Sequence, residues 1–206
     1  MSAGQGTAPA RGKDTKTLKY VARQPILDRE EQVFGYELLF RDSLVNALSG
    51  DSDEASRATL DRSLLMGLDV LCDGRRAFVN CTRNTLIRGL VTLLPSASTA
   101  VEILESVPPD PEVIAAFCNL KEAGYLIALD DYVANDARAP LAEIADIKKV
   151  DLLLTTEAQR EALVKQYGPW RCRMLAEKVE TQTDFFRARD RGSSTSRGIS
   201  SAGRRC

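Results

Sequence analysis

Histidine is missing from all 206 residues. Its absence excludes His-ligated zinc, Ser/His/Asp triads and Cys/His nucleophile pairs, so any acid or base work falls to carboxylates, lysine or metal-bound water. Cysteine is sparse, and Cys72, Cys81, Cys118, Cys172 and Cys206 show no CxxC spacing. They read as reduced thiols rather than disulfides or a zinc centre. The single tryptophan, Trp170, follows Gly168 and Pro169 and reads as a packing residue. Long apolar runs are absent too, and the opening MSAGQGTAPARGKDTK lacks an apolar signal core, so no membrane is expected and the expected compartment is the cytoplasm. A net charge of −1 gives no bulk electrostatic reason to expect nucleic-acid binding.

What is present is a composition of 44% hydrophobic and 28% charged residues, suited to one globular domain. Short apolar runs recur, each ending in a charged or amide residue: QVFGYELLFR, AFVNCT, AVEILES, YLIALDDY, IKKVDLLL and RMLAEKVET. Runs so short, separated by amphipathic stretches, predict buried parallel strands alternating with helices, hence a TIM-like β/α barrel. VARQPILD and QVFGYELLF, joined by Arg29, Glu30 and Glu31, predict an opening hairpin. Helices are expected over 54–71, at 85–90, from Asp110 as N-cap with Pro111 in the first turn to Gly124, around 141–145, over 156–167 and over 180–189. Polar residues where strands emerge are candidate site residues. Glu37, Asn80, Glu102, Asp130, Asp131, Lys149 and Glu177 would gather at one mouth. Five of these seven are carboxylates, and a divalent cation is the natural counter-charge. Glu105, Asp151 and Glu180 read equally well as rim residues, and Lys148 as a solvated neighbour of Lys149.

These motifs, in this order, resemble the EAL domains of bacterial cyclic di-GMP signalling, over roughly residues 20 to 190. The branch most resembled pairs a divergent EAL domain with a C-terminal HDOD domain. The resemblance implies that Gln24 of RQPI contacts ligand and that GYELLFR supplies Glu37 as a metal ligand and Arg41 as a phosphate contact. It further implies that Asn80, Glu102, Asp130, Asp131 and Glu177 are metal ligands, that Glu105 braces a neighbouring loop, and that Lys149 orients the attacking water. In catalytic members, two Mg²⁺ or Mn²⁺ ions support hydrolysis of cyclic di-GMP to the linear dinucleotide. Cyclic di-GMP, signalling proteins and a second copy in a homodimer are the implied partners.

Several departures argue against turnover. The EAL tripeptide reads ELL, Leu104 replaces a threonine, and DDYVANDARAP replaces a glycine-rich loop in which Val133, Ala134 and Asn135 adopt φ > 0 less cheaply than glycine. Lys178 stands where glycine is usual, placing a cation beside Glu177. The tail after Asp190, RGSSTSRGISSAGRRC, has one branched aliphatic and no aromatic residue, so the expected barrel is incomplete, lacking its closing strand and helix, with two open edges. A one-base shift of frame near Gly192 would turn SSTSRGISSAG into FEYFQGYFFCR, the family's closing strand, with Arg197 in place of its Gln. The expected organisation is a disordered leader at 1–17, a divergent EAL domain at 18–190 and a non-native disordered tail at 191–206. The preferred function is a non-hydrolytic signalling module that acts by protein interaction and cyclic di-GMP binding. A Mg/Mn-dependent phosphodiesterase and a non-functional truncated product are the alternatives.

Overall fold

The computed structural model describes residues 20–28, 30–41, 67–167, 173–177, 179 and 195–197. The chain opens with strands β1 (Tyr20–Asp28) and β2 (Val33–Arg41), paired antiparallel. Asp28 shapes the turn between them: its Oδ1 accepts from the backbone N–H of Glu30 at 3.0 Å and of Gln32 at 2.8 Å. The expected hairpin is therefore present. From β2 onward the strands run parallel: β3 (Arg76–Cys81), β4 (Thr99–Ile103), β5 (Leu126–Leu129), β6 (Ile147–Asp151) and β7 (Arg173–Glu177).

The described helices lie between these strands. They are α1 (Leu68–Leu71), α2 (Arg83–Ile87), α3 (Pro111–Glu122), α4 (Ala139–Ala142) and α5 (Glu157–Tyr167), with short 3-10 turns at Leu90–Leu93 and Ser96–Ser98. The start of α3 follows from local chemistry. Asp110 accepts from the Val113 N–H at 3.0 Å, Pro111 occupies the first turn without losing a needed donor, and Gly124 takes φ 83° after the helix. Of the helix expected over 54–71 only 67–71 falls among the described residues, with Leu68–Leu71 helical, and the helix expected over 180–189 lies outside them.

Alternation along each strand builds two concentric sets of side chains. One set faces outward, where Val79, Val101, Ile103, Ile127, Leu129 and Met174 are buried against helix residues such as Phe117, Leu120 and Leu163. The other set fills the interior with Ile26, Phe78, Ala100, Ala128, Ile147 and Leu175. Gly35 belongs to this packing: a Cβ there would lie 2.6 Å from the Arg76 carbonyl oxygen and 3.0 Å from Cε2 of Phe78. The large ring of Phe78 occupies the space a side chain on β2 would need.

The TIM-like β/α barrel is as expected, but its edges are not open. Residues Thr195–Arg197 form a strand, β8, that pairs parallel with β7 at Leu175 and Ala176 and antiparallel with β1 at Ile26, Leu27 and Asp28, which closes the ring. The expectation that the tail could supply no strand is corrected for these three residues. The unpaired N–H and C=O groups of β1 and β7 need only an extended backbone opposite them, and a serine-rich segment provides that without apolar side chains. Closure is brief: β8 has three residues against nine in β1, and the rest of 191–206 lies outside the described residues.

Candidate metal centre

Two residues beyond each interior apolar side chain, the same strand presents a polar one. Phe78 is followed by Asn80, Ala100 by Glu102, Ala128 by Asp130, Ile147 by Lys149 and Leu175 by Glu177. On the antiparallel β1 the order reverses, so Gln24 precedes Ile26 and stands opposite Glu37 in register. Period-two geometry thus stacks a polar layer on the apolar floor, at the C-terminal mouth of the parallel strands.

Lys149 is the centre of this layer. Its Nζ donates to Asp130 Oδ1 at 2.8 Å and to Glu102 Oε1, and lies 2.8 Å from Glu177 Oε1 and 3.5 Å from Glu37 Oε2. Both members of the Lys149–Glu102 pair are shielded from solvent, with side-chain exposures of 2% and 0%. One ammonium cannot balance four carboxylates, and the protonation equilibria record the imbalance. Burial, reinforced by the charge of Glu37, pushes the Glu102 carboxyl well above its usual range despite the opposing charge of Lys149. Burial likewise pushes Glu177 up to about 7. Burial opposes ionisation of Asp130 too, but the charge and hydrogen bond of Lys149 outweigh it and hold that carboxyl low. Burial works against the ammonium of Lys149, and its carboxylate neighbours together raise its pKa well above the ordinary value.

A second acidic group adjoins the first through Asp130: carboxylate oxygens of Glu105, Asp130 and Asp131 lie within 4.8 Å of one another. Glu105 is exposed, whereas the other two are partly buried. Asn80 pairs in register with Glu102, and both Asn80 Oδ1 and Glu102 Oε2 are buried without a hydrogen-bond partner. Unpartnered buried oxygen acceptors beside surplus carboxylates fit a hard divalent cation, which takes oxygen ligands. Glu37, Asn80, Glu102, Asp130, Asp131 and Glu177 are the residues that could hold it.

Arg41 ends β2, and its side chain lies outside the described residues, as do Lys178, Glu180 and Trp170. Lys148 is corrected: it is fully buried, not solvated. It points outward from β6 beneath the helices, donates to the Ala142 carbonyl at 2.7 Å and sits 4.2 Å from the Tyr167 ring centroid. Asp151 is also buried rather than a solvated rim residue, and its Oδ1 accepts from the backbone N–H of Leu153 at 2.6 Å and of Leu154 at 3.2 Å. Residue type alone gives no warning of either burial; for Lys148 the cover comes from Ala142 and Tyr167, outside its own strand.

The loop after β5 takes positive φ at Asp131 (42°) and Asn135 (62°), while Val133 and Ala134 avoid it. Asp and Asn tolerate this region better than other non-glycine residues, so the glycine-poor sequence is accommodated at two suitable positions. Arg138, unremarked in the sequence, is nearly fully buried inside this loop. Its place in an Asp-x-Arg step was the only local sign.

No protein-family model matches the chain. It is 39% identical over 176 residues to the uncharacterized protein YuxH of Bacillus subtilis, covering 82% of this chain and 43% of that protein. It is 37% identical over 188 residues to the cyclic di-GMP phosphodiesterase CdgJ of Vibrio cholerae, covering 87% of this chain and 43% of that protein. The chain therefore spans less than half the length of these relatives. Among solved structures it resembles the Bacillus subtilis YkuI protein, which has an EAL domain and was captured with substrate c-di-GMP and calcium. That likeness has a TM-score of 0.69 at 18% identity and covers 86% of this chain and 52% of the other. The barrel described above has the fold of the EAL domains.

Proposed function

We propose that the chain is a cyclic di-GMP signalling domain of the EAL family, within the branch whose EAL domains accompany an HDOD domain, and that it binds a divalent cation and the dinucleotide at the barrel mouth. The observation that carries this reading is the convergence of Glu37, Glu102, Asp130 and Glu177 on one buried point. The relative described as a cyclic di-GMP phosphodiesterase supports the choice of ligand. Mg²⁺ or Mn²⁺ bound here would lower the pKa of a bound water and offset charge on phosphate oxygens. Glu37, Asn80, Glu102, Asp130, Asp131 and Glu177 would hold it, Gln24 and Arg41 would contact the dinucleotide, and Glu105 would brace the loop carrying Asp130. The EAL-type unit is taken as residues 18–190, completed by the short β8.

Binding without turnover is the preferred activity, with signalling proteins and a second copy of the chain as partners. Lys149, the residue that would orient a water, has its ammonium committed to the carboxylates. Arg197 also stands in the closing strand where a Gln would serve hydrolysis. One observation favours the phosphodiesterase reading instead: the loop carrying Asp130 and Asp131 is anchored despite its lack of glycines.

Calorimetric titration with cyclic di-GMP in Ca²⁺, followed by chromatography of the nucleotide after incubation with Mg²⁺ or Mn²⁺, tests both readings. Saturable binding with the cyclic dinucleotide recovered intact is the expected result. Recovery of linear dinucleotide would establish the phosphodiesterase. Absence of binding by a protein that melts cooperatively would overturn the proposal and move its function to protein partners.

A further inference from the structure

We propose that Arg138 is a positioning residue for the cation site, fixing two adjacent strand ends that carry its carboxylates; this rests on the metal-binding reading above. Arg138 lies in the loop before α4, eight residues from Asp130. Its Nη2 donates to the Asp130 carbonyl at 2.8 Å and to the Asp131 carbonyl at 3.5 Å, while Nη1 donates to the Ile103 carbonyl at 3.4 Å. Ile103 follows Glu102 at the end of β4, and Asp130 follows the end of β5. One planar guanidinium therefore spans the backbone next to three of the carboxylates assigned to the cation. The Ile103 carbonyl also accepts from the Asp130 N–H at 2.9 Å, so the two strand ends share an acceptor at the point Arg138 grips.

The fork is itself held from behind. Asp136 accepts from Arg138 Nε at 3.0 Å and from Nη2 at 2.7 Å, and also from the Arg138 backbone N–H at 2.7 Å. Both side chains of this pair are shielded, with exposures of 3% and 9%. Burial opposes the Asp136 carboxylate, but the hydrogen bonds and charge of Arg138 outweigh it and keep the carboxyl below its usual range. The guanidinium charge is thus balanced locally, so Arg138 acts on the cluster through geometry and adds little repulsion toward a cation. The Tyr132 N–H, donating to the Lys149 carbonyl at 2.7 Å, ties the same loop to the third strand of the site. Asp131 and Asn135 sit in the left-handed region, a conformation that costs a non-glycine residue energy, and the clamp's hydrogen bonds help to hold it.

Lysine cannot reproduce this grip, because its ammonium is a point charge without the planar fork. Arg138→Lys is the test, with Arg83→Gln as control, since Arg83 pairs with Asp110 and Glu112 at the start of α3 and with none of the carboxylates assigned to the cation. Free Mn²⁺ is followed by electron paramagnetic resonance during titration, the melting temperature is recorded, and amide exchange is measured at Asp130 and Tyr132 and within α3. The expected result is that Arg138→Lys weakens Mn²⁺ binding by on the order of tenfold or more and speeds exchange at Asp130 and Tyr132, with α3 amides still protected. Arg83→Gln is expected to lower the melting temperature and leave Mn²⁺ affinity alone. Wild-type Mn²⁺ affinity in Arg138→Lys overturns the positioning role and leaves the metal site standing. A wild-type protein that binds no Mn²⁺ overturns both. Equal loss of Mn²⁺ affinity in Arg83→Gln also overturns the proposal, because general destabilisation would then account for the effect.

Discussion

The floor and the mouth of the barrel are made by the same strands, two residues apart, and they obey opposite physics. On the floor, Ile26, Phe78, Ala100, Ala128, Ile147 and Leu175 exclude water and satisfy one another. In the mouth, Glu37, Glu102, Asp130 and Glu177 share a single ammonium, and the oxygens Glu102 Oε2 and Asn80 Oδ1 have no donor. A layer arranged for stability would not assemble surplus charge in a dry interior, where each uncompensated carboxylate costs several kcal/mol in order of magnitude. The floor supports the mouth: burial on one side of the polar layer is what raises Glu102 and Glu177 and what would strengthen their hold on a cation.

The sharpest break of this comparison pairs one substitution in each layer. Phe78→Ala should lower unfolding free energy by about 3–5 kcal/mol in urea denaturation, and added Ca²⁺ should restore little of it, because a cavity has no charge to neutralise. Lys149→Met should cost a similar amount, about 3–5 kcal/mol, by stranding buried carboxylates, with the loss larger at pH 8 than at pH 5. Here Ca²⁺ should restore most of the stability, and a failure of Ca²⁺ to do so would break the contrast between the layers.

A smaller effect should appear in the pH dependence of the metal-free protein. Glu177 is raised from 4.5 to about 7 in the folded state. Between those values the folded chain holds a proton that the unfolded chain has released, so stability falls as pH rises through this window. Asp130 is shifted downward from 3.8 and Lys149 upward from 10.5, so their contributions are constant across the same window. Melting temperatures taken from pH 4.5 to 8 should therefore decline without cation, and the decline should flatten in Ca²⁺, which keeps the carboxylate ionised. The smallest stability effect belongs to Glu102→Gln, which imitates the protonated carboxyl and should change metal-free stability by no more than about 1 kcal/mol. Its cation affinity, measured by calorimetry, should nonetheless collapse.

Local chemistry made much of this legible. Asp110, Pro111 and Gly124 bracket α3 through capping, a tolerated first-turn proline and a positive φ, all of which act within a few residues. The strand ends were readable because each apolar run stops at a polar residue, and the barrel brings Glu37, Glu102, Asp130, Lys149 and Glu177 into one cluster. Three features were not readable in that way. Lys148 and Lys149 are adjacent lysines of one strand, yet one enters the acidic mouth and the other lies under Tyr167, because successive side chains point to opposite faces. Arg138 acts on carbonyls up to 35 residues away, and carbonyls have no sequence signature. Thr195–Arg197 closes the ring although its residues suggest no strand, since the unpaired edges of β1 and β7 provide the incentive.

The sequence by itself determined the alternation of strands and helices, the hairpin, the caps and the list of polar strand ends, because these depend on periodicity and on contacts between near neighbours. Only the tertiary structure decided that four carboxylates meet at one lysine, that a three-residue segment closes the barrel, and that a buried arginine grips the two strand ends beside the site. Those outcomes depend on which backbone groups and charges are left unsatisfied once the chain has folded, and that balance exists only in three dimensions.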